Sequence, residues 1–128
     1  MGTYTELHLT VQLKLETPKE VIEFLNDVFN VKSFNDLNKL SLPNHPFFKT
    51  HRWMHVFLGD CYYFQFQNHS DFKRNMYLMI HSSFKNYDNE IELFLDWISP
   101  YVRYKDEIVG YYRCELTPNE ADWIIFRD

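Results

Sequence analysis

Between Thr5 and Leu15 hydrophobic and polar residues alternate. Thr5, Leu7, Leu9, Val11, Leu13 and Leu15 take the odd positions, and Glu6, His8, Thr10, Gln12 and Lys14 take the even ones. Successive side chains of a strand point to opposite faces, so this period of two predicts a strand with one buried and one wet face. The period then changes. Thr17-Pro18-Lys19-Glu20 offers a threonine N-cap, a proline at the first helical position and a glutamate three residues after the cap, a pattern that opens a helix. Val21, Ile22, Leu25, Val28 and Phe29 follow at spacings of three and four, which gathers them into one apolar stripe.

Farther along, Ser33 to Leu40 fits a short helix, and Pro43 and Pro46 impose an extended or turning path. Arg52 to Leu58 is expected to be a strand, Gly59-Asp60 a tight turn and Cys61 to Gln67 the hairpin partner. After a polar loop from Asn68 to Asn75, Met76 to Phe84 alternates again. Met76, Leu78, Ile80, Ser82 and Phe84 share one face, and Tyr77, Met79, His81 and Ser83 the other. Asp88, Glu90 and Glu92 suit a helix N-terminus, and Ile91, Phe94, Leu95 and Ile98, with Val102 as a further candidate, form the buried side before Pro100 ends or bends the helix. Ile108 to Glu115 and Trp123 to Arg127 are expected to be strands joined by the turn Leu116 to Glu120. This order predicts a single α+β domain, residues 1–128. Its expected form is a two-layer sandwich, ferredoxin-like or related, with two helices on one face of a mainly antiparallel sheet. A β-barrel with appended helices is the rival arrangement.

Length and charge narrow the functional classes. The 128 residues suit one domain, and 13 basic against 18 acidic residues leave a net charge of −5 with histidines neutral. That charge repels a phosphate backbone at long range, so nucleic acid is not the expected partner. Cys61 and Cys114 stand far apart with no Cys-x-x-Cys pair, which predicts two reduced thiols rather than a disulfide framework or zinc knuckle. No basic segment leads into an apolar run at the N-terminus and no stretch reaches the roughly 18 apolar residues of a membrane span, so a cytoplasmic protein without membrane association is expected. With glycine at positions 2, 59 and 110 alone, no phosphate-cradling loop can be written, and no cofactor is expected.

Two triplets carry candidate chemistry: His8-Leu9-Thr10 and His81-Ser82-Ser83. Each places an imidazole and a hydroxyl on the same side of a strand. In their settings LHLTV and IHSSF resemble the paired motifs of the two-histidine phosphoesterase superfamily. The resemblance implies that one of His8 and His81 removes a proton from an attacking oxygen while the other protonates the leaving oxygen, with Thr10 and Ser83 binding phosphate oxygens. Histidines and hydroxyls on a solvated sheet face account for the same letters without catalysis. His51 and His55 share a face of the expected strand but stand roughly 13 Å apart there, too far for one metal ion.

Aromatic residues are the second signal, at 19% of the chain. Tyr62, Tyr63, Phe64, Phe66, Tyr77, Tyr111, Tyr112 and Trp123 all fall on expected strands, so alternation must place some of them outside the core. An aromatic sheet face stacks single-stranded bases or anchors a protein partner, and the acidic charge favours protein. Tyr63, Tyr77, Tyr111 and Trp123 are the binding candidates. The ends of the chain, MGTYTELHLTVQLKLETPKEVIEFL and GYYRCELTPNEADWIIFRD, resemble small uncharacterised proteins carried by phages, prophages and their low-GC Gram-positive hosts. That likeness implies origin and fold more than mechanism. The expected function is that of a non-enzymatic accessory protein that binds a protein partner, with a homodimer formed by strand edge or sheet face as a further expectation. The alternative is an enzyme acting on cyclic or 2′,5′-linked nucleotides.

Overall fold

The computed structural model describes residues 3–31, 33–37, 39–67 and 74–128, and the alternating N-terminal segment is its central strand, β1 (Thr5–Leu13). Leu7, Leu9, Val11 and Leu13 are each at most 3% exposed, which puts the odd face inward as the pattern predicts. Leu15 is exposed beyond the strand end because the chain turns at Lys14. Thr17 closes that turn, donating from its backbone N–H (3.1 Å) and from Oγ1 (2.6 Å) to the Lys14 carbonyl. The expected threonine cap is therefore corrected. Helix α1 (Lys19–Asn30) takes Pro18 as its N-cap without a side-chain hydrogen bond, because the Thr17 hydroxyl is already spent on the turn. Val21, Phe24, Leu25 and Val28 are its buried stripe, whereas Ile22 and Phe29 are only partly covered.

A four-residue helix, α2 (Phe34–Leu37), occupies the expected place, although Asn38 and Lys32 lie outside the described residues. Two 3-10 turns follow, Pro46–Lys49 and Trp53–Phe57. The second overturns the strand expected over Arg52 to Leu58. Trp53, Met54, Val56 and Phe57 are all buried, a one-three-four spacing that a helical turn can direct to one side and an alternating strand cannot. Gly59-Asp60 consequently joins no hairpin. Strand β2 (Tyr62–Gln67) pairs antiparallel with β3 (Arg74–Phe84), which claims Arg74 and Asn75 from the expected loop. The rest of that loop, residues 68–73, lies outside the described residues.

The 3-10 turns exist to fill space. Phe47, Phe48, Trp53 and Phe57 wedge between α1 and helix α3 (Glu90–Ile98), where with Phe24, Phe94 and Trp97 they form ring contacts at 4.8–6.3 Å, mostly edge to face. His45 ties this layer down. Its Nδ1 accepts from the Phe47 N–H at 3.0 Å, which leaves Nε2 to donate to Asp96 of α3 at 2.8 Å. In α3, Ile91, Phe94 and Ile98 are buried as expected, but Trp97 takes the buried place expected for Leu95, which is only partly covered. Its N-terminus is not capped by Asp88. Asn86 Oδ1 accepts from the Ile91 N–H at 3.0 Å, and the fully buried Glu90 carboxylate turns back to accept from the Asp88 N–H at 2.9 Å.

After a 3-10 turn at Ser99–Tyr101, strands β4 (Ile108–Cys114) and β5 (Asp122–Ile125) complete the sheet, with β5 ending before the expected Arg127. The order is β2-β3-β1-β4-β5 and every pairing is antiparallel. The sheet is open, with β2 and β5 at its edges, so the rival barrel is not formed. Helices pack against this five-stranded sheet in a mixed α+β, two-layer arrangement. No helix among the described residues is long and apolar enough to cross a membrane, and both cysteines are free thiols.

Two glycines permit close approach of backbones. A β-carbon at Gly59 would overlap the His81 carbonyl and the Ser82 backbone, and one at Gly110 the His8 carbonyl and the Leu9 backbone. Neither obstacle is a flexible side-chain end. Gly59→Ala and Gly110→Ala should each lower unfolding free energy by about 1–3 kcal/mol, the usual cost of forcing extra volume into a packed site. Urea denaturation of the two variants beside the parent checks this.

Candidate functional site on the open sheet face

Because the odd residues of β1 face the helices, the even ones face away. Register then decides their neighbours. His8 lies opposite His81 of β3 on one side and opposite Tyr111 of β4 on the other, and Tyr111 lies opposite Trp123 of β5. These four residues make one row across four strands. The His8 and His81 ring centres are 4.7 Å apart, His8 stacks on Tyr111 at 4.7 Å with 20° between planes, and Tyr111 meets Trp123 edge to face at 5.9 Å. On the β2 side, Tyr62 pairs with Met79, and Phe64 stacks on Tyr77 at 5.3 Å.

Of the four expected binding aromatics, Tyr77, Tyr111 and Trp123 are on this face. Tyr63 is not among them. It packs against the helix-covered core, while its neighbours Tyr62 and Phe64 point outward. The parity of β2 follows from its pairing with β3: Tyr63 opposes the buried Leu78, and Phe64 the outward Tyr77. Exposure divides these rings. Trp123 is 63% exposed, Tyr62 54% and Phe64 47%, whereas Tyr77 and Tyr111 are half-buried by their stacking neighbours.

The four residues of the two triplets all lie on the open face, but not at one point. His8 and His81 are cross-strand neighbours. Strand polarity sends the hydroxyls in opposite directions: Thr10 opposes Met79, and Ser83 opposes Glu6, so each lies one row away from the histidines on opposite sides. Glu6 is the residue that sequence inspection passed over. Its carboxylate accepts from His8 Nε2 at 3.0 Å and also from Arg113 Nε. The hydrogen bonds from His8 and Arg113, in that order, hold the Glu6 carboxyl below the usual carboxylate range. Arg113 in turn lies 5.6 Å from the Tyr111 ring centre, so one end of the face is polar and internally neutralised. Nothing in the amino-acid order marks Glu6, because the register of β1 with β4 is what sets it opposite Arg113.

Among the described residues, no group of three or more His, Cys, Asp or Glu is placed to hold a metal ion. His55 belongs to the second 3-10 turn instead of a strand, and burial, reinforced by Arg52 and opposed by Glu90, pushes its imidazole toward the neutral form. Chemically, the face offers one imidazole oriented by a carboxylate, a second exposed imidazole beside it, and a broad aromatic and thioether surface. No family model matches the chain, and comparison with curated proteins and with solved structures yields no match.

Stability should report the Glu6 contacts through pH. A folded-state pKa below the unfolded value makes the contribution fully present above about pH 4.5, and it is lost as pH falls through the lowered folded value. The carboxylate is more than a third exposed, so solvent screening limits the amplitude to about 0.5 kcal/mol. Thermal melts between pH 3 and 7 should show a slightly flatter acid limb for Glu6→Gln than for the parent.

Proposed function

We propose that the protein is a binding module whose uncovered sheet face docks onto a protein partner, and that its fold is a ferredoxin-like sandwich extended by one strand. The strand order supports the second part. β2-β3-β1-β4 with helices after β1 and β3 follows that topology, and β5 adds to the β4 edge. The observation that carries the first part is the set of large outward-facing aromatics on a face that no other described element covers, with Trp123, Tyr62 and Phe64 each about half exposed or more. Large apolar side chains left exposed on one sheet face are a feature of interaction sites. Tyrosine, tryptophan and methionine are the residues that interfaces favour, because they bury much area while losing little side-chain freedom.

Protein suits the face better than nucleic acid. Bases would stack on the aromatic rings, but a phosphate backbone needs free cations, and Arg113, the described cation beside this row, is occupied by Glu6. The net charge of −5 opposes the same ligand. An accessory protein of phage or prophage origin that engages a host protein is the context this reading fits.

Trp123→Ala and Tyr62→Ala should each weaken capture of a stoichiometric partner from host lysate by about tenfold or more, the behaviour of interface anchors. Leu116→Ala, a 74% exposed residue in the β4–β5 turn, is the control that should change nothing. Equal capture by all variants rejects the face as the docking surface. Saturable binding of a labelled single-stranded oligonucleotide, abolished by Trp123→Ala, would transfer the site to nucleic acid.

A second reading is favoured by one observation, the convergence of His8 and His81. In that reading Glu6 orients His8, and the two imidazoles serve a phosphodiester approaching from above the sheet. Rings 4.7 Å apart leave no space for a phosphoryl group between them, so acid and base would have to act from one side. Cyclic nucleotides and 2′,5′-linked oligonucleotides are the substrates to screen. This reading predicts turnover that falls at least about a hundredfold in both His8→Ala and His81→Ala; equal turnover in the parent and both variants removes it.

A further inference from the structure

We propose that a groove on the helix side of the molecule takes a short extended peptide from a protein partner, with a basic side chain bound at one end and a carboxylate at the other. The groove consists of two hollows. One, about 740 Å³, lies between α1, the segment 41–45 and the C-terminal end of α3. The other, about 610 Å³, lies beside the turn that follows β1. Pro18, Pro100 and Tyr101 line both, so the hollows meet over a shared saddle. Backbone contacts hold that saddle in place: the Lys14 N–H donates to the Tyr101 carbonyl at 2.8 Å, and Leu13 bridges to Val102.

The two ends carry opposite charge. Glu20, Glu23 and Asp27 recur at three and four along α1 and therefore share one face, and Asp96 of α3 joins them around the larger hollow, which no lysine or arginine lines. Lys19 approaches Glu23 at 3.6 Å and His45 engages Asp96, but Glu20 and Asp27 have no cation at ion-pair distance among the described residues. The smaller hollow is lined by Lys14 and Arg103 with Glu16, and neither cation has a carboxylate at ion-pair distance among the described residues. Pro18, Pro100 and Tyr101 make the shared saddle largely apolar, and Leu42, 43% exposed, adds an apolar side chain to the lining of the larger hollow.

Charge complementarity selects the occupant. A chain crossing from the acidic to the basic hollow gains an ion pair at each end only if its own charges run the opposite way. Like charges at either end are repelled, and such juxtaposition is how interfaces reject wrong ligands. An extended chain sets same-side residues roughly 6.6 Å apart, so alternate side chains can enter the hollows while the rest face solvent. The larger hollow alone falls within the usual size range of a ligand pocket, about 300–1,000 Å³. This surface is separate from the aromatic sheet face and does not depend on it.

The test is a positional-scanning library of heptapeptides presented to the whole protein. Enrichment of Arg or Lys toward one end and of Asp, Glu or the free carboxylate toward the other is expected, with affinity falling as salt rises. Glu20→Lys with Asp27→Lys should cost about tenfold or more for the enriched peptide, and Arg103→Glu should erase the acidic preference. Leu42→Asp should weaken binding without altering either charge preference. Leu116→Ala, in the exposed β4–β5 turn, should leave the selection unchanged. Retention of no peptide, enrichment without polarity, selection indifferent to the groove variants or lost in Leu116→Ala, or displacement by spermidine at equal concentration each overturns the proposal.

Discussion

The inward packing of Leu7, Leu9, Val11 and Leu13 on the central strand is the contact from which the rest of the molecule is built. Burial of side chains of this size contributes about 1.5–3 kcal/mol each, against an ordering cost of about 1–2 kcal/mol per residue for the backbone. β1 is the strand that both β3 and β4 pair with, so its two-residue period sets the facing of its neighbours. A slip of one residue would carry the leucines to solvent and the histidine and glutamate inward, which makes the register strongly specified. The open face is thus a by-product of core formation: once the apolar half turns toward the helices, Glu6, His8, Thr10 and Gln12 must turn away.

The second layer is rich in aromatic as well as aliphatic side chains. Two helices of moderate length cannot by themselves cover five strands, and the chain fills the gap with the 3-10 turns that carry Phe47, Phe48, Trp53 and Phe57. Edge-to-face contacts let these rings pack closely without parallel alignment. All described helical and 3-10 segments that contribute to the buried cluster are spent on this side of the sheet. Nothing comparable is left to cover the other, and its aromatic residues stay in contact with water.

On that face, electrostatics and stacking divide the surface. Glu6, His8 and Arg113 satisfy one another at one end, whereas Tyr62, Phe64, Met79 and Trp123 form the apolar remainder. An internally neutralised ion pair adds little free energy at an exposed site. It does remove a free cation from the region where an anionic ligand would need one. The groove on the helix side has the reverse character, with Glu20 and Asp27 set apart from Lys14 and Arg103 across an apolar saddle. The two surfaces therefore differ in chemical character.

The period of two in β1 and β3 and the periods of three and four in α1 and α3 were readable in the amino-acid order, because each reflects a local geometry that needs one covered side. The α+β class and the outward placement of His8, Thr10, His81 and Ser83 follow from those periods. The segment from Arg52 to Leu58 was misread because a short apolar run satisfies strand and helix alike until burial of Trp53, Met54, Val56 and Phe57 together excludes alternation. Tyr63 was misassigned for a related reason: six residues of β2 hold no decisive alternation, and pairing with β3 fixes their facing. The caps went elsewhere because the folded turns gave the Thr17 hydroxyl a backbone partner in the Lys14 carbonyl and brought Asn86, in place of Asp88, to the Ile91 N–H. Local chemistry along the chain determined which segments repeat and with what period. Tertiary structure decided which rows of side chains meet, since the His8–His81 contact, the Glu6–Arg113 pair and the groove joined at Tyr101 all depend on strands or segments distant in sequence being brought into register.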